Sequence, residues 1–181
     1  SATHMAGGIA GRMHNGLANA ETIKDTRFTG VINNSDQKME AVGGFVGIMQ
    51  GGKIVNCTSE GVINMDYNNY YSYAGGFVGF YQSYASSYTS EVSGCVNSTV
   101  INSTQRLVAA GGIVAYAQRG STGRLQIDGC TNNADIKILT APTALTCMGG
   151  ILGLTQDVSN DVIKVKVTVT NNTNNGKIGM D

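Results

Sequence analysis

The sequence predicts an all-β solenoid, with five repeats of about 35 residues stacked in the manner of a parallel β-helix. Three observations predict it. A Gly-Gly pair flanked by apolar residues recurs five times. A second module, I-x-x-C-x-x-x-G-x-I in its clearest form, follows each pair. The 181 residues include 25 glycines, one proline and only 13% charged residues. Glycine and asparagine take the positive φ that corners need, so this composition suits many short strands joined by tight turns.

The Gly-Gly copies read MAGGIAG (Gly7, Gly8), AVGGFVG (Gly43, Gly44), YAGGFVG (Gly75, Gly76), AAGGIVA (Gly111, Gly112) and CMGGILG (Gly149, Gly150). They are spaced by 36, 32, 36 and 38 residues. The second module is clearest from Ile54 through Cys57 and Gly61 to Ile63. Its other copies align without gaps on Ile23–Thr26–Gly30–Ile32, Val92–Cys95–Thr99–Ile101, Ile127–Cys130–Ala134–Ile136 and Val169–Asn172–Gly176–Ile178. The units fall at about 1–36, 37–68, 69–104, 105–142 and 143–181, in one repeat domain. A unit of two or three short strands cannot bury its apolar face alone. Stacked on its neighbours at about 4.8 Å, it builds a continuous core. A β-propeller has a similar period, but it calls for four strands and a recurrent aromatic per blade, and the chain has no Trp. Both ends open on repeat elements, so the chain reads as a piece of a longer array or one that associates end to end.

The stretch VGGFVGIMQGGKIVNCTSEGVIN, Val42–Asn64, resembles the GLUG-type repeat of bacterial surface proteins and adhesins. The resemblance implies an extracellular, surface-anchored setting and a non-catalytic role. Ala115 replaces the last glycine of the fourth copy, and the first and fifth copies lack the cysteine.

Cys57, Cys95 and Cys130 share one repeat position, so the solenoid stacks them in a row as reduced thiols. In-register side chains lie about 4.8 Å apart, too far for the roughly 3.8 Å between Cβ atoms of a disulfide. No paired spacing supports zinc, and no cofactor is expected. His4 and His14 both lie in the first unit, remote from those cysteines. The run Gly47–Lys53 opens like a phosphate loop, but Ile54 stands where Ser or Thr must bind magnesium. The carboxylates are scattered: Asp25 and Asp128 belong to non-adjacent units, and Asp157 and Asp161 share one loop. The chain is therefore not expected to be an enzyme, and a β-helical lyase or glycosidase would need an acidic cluster on adjacent coils.

The third unit carries a tyrosine-rich insertion with seven of the eight tyrosines: Tyr67, Tyr70, Tyr71, Tyr73, Tyr81, Tyr84 and Tyr88. Tyrosine among Ser and Asn supplies flat apolar faces and adaptable hydrogen bonds, the composition of a binding surface. The same rings would also serve to fill the space between coils. The expected role is a structural or adhesive repeat region that meets a host or microbial glycan or a surface protein, with a carbohydrate-binding module as the alternative. Lys and Arg number 12, as do Asp and Glu, which leaves no field for nucleic acid. No apolar run is long enough for direct membrane insertion.

Overall fold

The structure, a computed structural model, describes residues 4–14, 21–34, 39–66, 72–82, 89–104, 107–119, 123–139, 146–157 and 166–180. Among them are 25 strands of two to six residues and no helix. They form five sheets of five strands, each sheet taking one strand from every repeat in repeat order. Every pairing is parallel, and the register matches the repeat: Gly43, Gly75 and Gly111 are partners, as are Ile63, Ile101 and Ile136. The architecture is a β-solenoid of five stacked repeats.

We call the sheets A to E in the order the chain visits them within a coil. In the second coil these strands are Met39–Gly43, Val46–Met49, Lys53–Val55, Thr58–Ser59 and Val62–Met65. A coil therefore holds five strands, not the two or three expected from sequence. The second module turns twice, at the residue before the cysteine and again near the Gly, so it supplies C, D and E. The first corner has positive φ in every coil: Asp25 at 50°, Asn56 at 53°, Gly94 at 60°, Gly129 at 61° and Asn171 at 55°. Only Gly, Asn and Asp occupy it, because a Cβ disfavours the left-handed region except in residues whose short polar side chain offsets it.

In cross-section the coil is one arch nested inside another. Sheets A and B run into and out of the Gly-Gly tip, and in the middle coils they are buried on both faces: Ala41–Met49 and Ala109–Ala117 are buried throughout. Sheets C and E alternate instead, with Ile54, Ile63 and Ile101 inward and Lys53, Asn64 and Asn102 at the surface. Three apolar layers result. Val46, Val78 and Val114 of B pack against Ile54, Val92 and Ile127 of C. Val42, Ala74 and Ala110 of A pack against Ile63, Ile101 and Ile136 of E. Between A and B lie Ala41, Ile48, Tyr73, Ala109 and Tyr116.

The second glycine of each pair explains the nesting. A Cβ on Gly76 would collide with the Asn97 amide and the Gly112 carbonyl, and one on Gly112 with Asn132 and Gly150. The tip touches sheet D, so nothing larger than a hydrogen fits there. Along sheet D the buried side chains form an amide ladder. Asn97 Nδ2 donates to Asn132 Oδ1 and Asn132 Nδ2 to Asn174 Oδ1, both at 2.7 Å. Lower down, the Ser59 and Thr99 hydroxyls meet at 2.6 Å. Ser59, Asn97, Thr99 and Asn132 have no exposure yet are satisfied, as burial demands, and Asn174 in the end coil is exposed. All strand ends away from the tip lie at the opposite edge. Both the B-to-C and the E-to-A connections leave from there, and both vary in length between repeats.

Candidate functional site

The inner arch closes at its glycine tip and opens at the loop edge, which leaves a cleft between sheets A and B. Near the tip the two sheets approach backbone to backbone: a Cβ on Gly47 or Gly79 would strike the main chain of Ala6 or Val42. Two residues further out the cleft is wide enough for rings. Tyr73 from sheet A faces Phe80 and Tyr116 from sheet B, with centroid separations of 5.4 and 4.8 Å, and Phe80 stacks on Tyr116 at 5.2 Å. Ala41 and Ala109, the sheet neighbours of Tyr73, are small enough to leave it room. Burial raises the Tyr116 hydroxyl above its ordinary pKa.

One more step outward on sheet B, on the same face, comes a column absent from the sequence reading: His14, Gln50, Gln82, Gln118 and Gln156. Each stands six residues after the second glycine of its pair, and register places Gln118 directly beside Gln156. The signal was present as a glutamine repeated in four of five units, just beyond where the Gly-Gly motif stops. At the lower end of the cleft Met5, Arg12, Glu40, Ile48, Gln50, Phe80 and Gln82 line a recess of about 320 Å³. Arg12 Nε donates to Gln50 Oε1 at 2.8 Å. Gln50, Gln82 and Gln118 are half-buried and Gln156 is exposed.

Of the seven candidate tyrosines, Tyr73 and Tyr81 lie within the described residues, and both are buried. Tyr81 has no exposure, and its hydroxyl donates to the Arg124 carbonyl at 3.0 Å and lies 3.2 Å from Ser90 Oγ, which can donate to it. These two are packing residues and are removed from the binding set. In the middle coils sheets A and B are covered on both faces next to the glycine tip, so a large residue there enters the core. Tyr67, Tyr70, Tyr71, Tyr84 and Tyr88 lie outside the described residues.

Cys57, Cys95 and Cys130 occupy the corner between C and D as buried free thiols, and Cys147 is a half-buried free thiol in sheet A. The three do more than fill space. Cys95 Sγ donates to Ser93 O in its own coil at 3.2 Å and approaches Ile54 O of the coil below at 3.6 Å. Cys57 and Cys130 repeat the pattern. In the first coil Thr26 Oγ1 bonds Lys24 O, and in the last Asn172 Nδ2 bonds Ile127 O, so the position selects a small donor rather than sulfur as such. The hydrogen bond to Cys130, together with burial, pushes the Cys95 thiol far above its ordinary pKa. Burial likewise raises Cys57.

Sheet C brings two carboxylates into adjacent coils, Glu91 and Asp128. Ser93 Oγ donates to Glu91 at 2.6 Å and Lys53 Nζ approaches it at 3.0 Å, and together they hold its pKa below the ordinary carboxylate value. Asp128 accepts from Thr170 Oγ1 at 2.6 Å and Asn171 Nδ2 at 2.9 Å. The lowered pKa of Glu91 is the opposite of what a general acid requires. Asp25 stands in the positive-φ corner column rather than beside Asp128. Among the described residues no group of three or more His, Cys, Asp or Glu could hold a metal ion.

Comparison with known families places one stretch: residues 40–64 match the GLUG motif. They form a GLUG repeat. The match runs from Glu40 in sheet A to Asn64 in sheet E of the second coil and includes the Gly-Gly arch. The matched stretch thus touches all five sheets within one coil, and strand register pairs its residues with those of the neighbouring coils. No curated protein and no solved structure matches the chain.

Proposed function

We propose that the chain is a non-catalytic structural and adhesive region of a secreted or surface-anchored bacterial protein, in which GLUG coils stack into a rod that holds variable loops along one edge. The observation that carries this reading is the separation of constant from variable. The Gly-Gly tip, sheet D and both corners repeat nearly unchanged, whereas every connection of variable length leaves from the opposite edge. Loops positioned on a rigid scaffold are the usual carriers of recognition. By sequence, those leading into and lying within the third unit hold Tyr67, Tyr70, Tyr71, Tyr84 and Tyr88, and on this reading they meet a host or microbial glycan or a surface protein. The tethered state of Glu91 and Asp128 supports a role without catalysis. Among the described residues no helix is long and apolar enough to cross a membrane.

The test is loop exchange. Residues 67–71 and 83–88 are replaced by short Gly-Ser-Asn connections, and adhesion of coated beads to epithelial mucin and matrix proteins is measured. Adhesion lost with the fold intact by circular dichroism is the expected result, and unchanged adhesion would refute the loop assignment. A carbohydrate-binding module is the second reading, favoured by the row of amides along the cleft.

A further inference from the structure

We propose that the mouth of the cleft between sheets A and B binds a linear, neutral, equatorially linked polysaccharide lying along the coil axis, held by the column Gln50, Gln82, Gln118 and Gln156. The inference rests on the carbohydrate-binding reading and assigns it a site away from the tyrosine loops.

Three observations support it. First, these amides differ from the others in the rod. The asparagines of sheet D saturate one another, and on sheet E Asn64 bonds Asn33 at 2.8 Å and Asn102 bonds Asn64 at 3.2 Å. Gln82, Gln118 and Gln156 form no such ladder, and among the described residues their side-chain amides have no hydrogen-bond partner. A repeated amide that does not bond its neighbour keeps donor and acceptor available for a ligand. Secondly, the amides border an apolar floor of Ile48, Phe80, Tyr116 and Leu154, successive partners in sheet B. Ile48 and Tyr116 are buried and the rings stack on one another, so recognition falls to the amides. Thirdly, spacing selects the ligand. One amide and one apolar step recur at each coil rise of about 4.8 Å. Two rises, about 9.6 Å, are close to the same-side repeat of an equatorially linked pyranose chain, whose successive rings are flipped, so every second amide meets equivalent hydroxyls. An extended peptide repeats same-side groups at about 6.8 Å and loses register within two coils. A phosphate chain would need a row of cations. Arg12 is instead bound to Gln50, and Glu40 shares its recess. Hydroxyl groups that both donate and accept match amides that do the same.

The experiment is affinity electrophoresis of the whole chain through gels containing a soluble neutral β-linked glucan, with polygalacturonate as the anionic control. The comparison is with Gln82→Ala/Gln118→Ala and with the loop-exchange variant. These glutamines are half-exposed and unpartnered, so the double variant is expected to keep the melting temperature of the parent. Loss of two neutral hydrogen-bonding groups is expected to weaken glucan retardation about ten-fold or more. The loop-exchange variant is expected to be retarded like the parent. Equal retardation of the double variant, retardation abolished by loop exchange alone, or passage of the intact chain unretarded through every neutral glucan would each overturn the proposal. Adhesion to mucin and matrix proteins is scored on the same variants, so failure of the cleft and failure of the adhesive reading are told apart.

Discussion

Gly112 shows how much a single hydrogen atom decides in this fold. Its missing side chain lets the inner arch touch Asn132 on sheet D and the next arch above it. Gly112→Ala must therefore push the arch and the amide ladder apart. We expect a loss of about 3 kcal/mol, the upper range for overpacking a core. Urea unfolding measures it, and a loss under 1 kcal/mol would refute the close approach. The thiols give a second expectation at this scale. The nucleophile is the thiolate, and burial keeps Cys57 and Cys95 protonated at neutral pH. Iodoacetamide is expected to label Cys147 in the folded chain and to reach the three corner cysteines only in denaturant. Native labelling of Cys95 would contradict its burial at the corner between sheets C and D.

Between residue and molecule stand the columns. The buried amide column of sheet D and the surface column of sheet E share one chemistry in two surroundings. Asn132→Ala removes the acceptor of the Asn97 amide and of the Ala134 backbone N–H inside the core, whereas Asn174 is exposed to water. The expected cost is about 2–3 kcal/mol. Asn64→Ala breaks two equivalent bonds where water replaces them, and its cost is expected to stay near or below 0.5 kcal/mol. Thermal unfolding of the two variants side by side is the check, and equal losses would show that burial is not what gives the inner column its weight. The columns also show what was legible in the sequence. Gly43, Gly75 and Gly111 align by motif, and the structure pairs them. The same holds for Ile63, Ile101 and Ile136. Strand number was not legible, because Thr58–Ser59 and its counterparts are two residues long and show no period. The nesting left a trace, since AVGGFVGIM is a continuous apolar run, the pattern of a strand buried on both faces. The amides at the cleft mouth were also within reach, three positions past the end of the Gly-Gly motif. The buried places of Tyr73 and Tyr81 were not, because the sequence put them in one composition-rich segment with loop tyrosines.

For the whole molecule, the ends differ from the middle. Ile9 is 43% exposed, whereas Phe45, Phe77 and Ile113 at the same position have no exposure. In the last coil Val169 is 44% exposed, against none for Val92 and Ile127. Such faces are those an additional coil would cover, so the isolated 181-residue chain is expected to associate with rising concentration. Sedimentation velocity would show it. A single monomeric species up to millimolar concentration would count against association, and Val169→Lys is expected to weaken it.

The inter-strand hydrogen bonds of all five sheets run along the rod, because the coils stack in that direction. Tension applied between the two ends therefore pulls coils apart one after another instead of loading all bonds together. Each coil released from the end yields some 36 residues, the interval from Gly7 to Gly43. That is about 120 Å of slack for the loss of one inter-coil interface. A rod that tethers a surface under flow would then lengthen in steps and hold its remaining loops in place. Optical-tweezer traces are expected to show regular steps of that contour length, and one all-or-none rupture would instead make the rod a rigid strut.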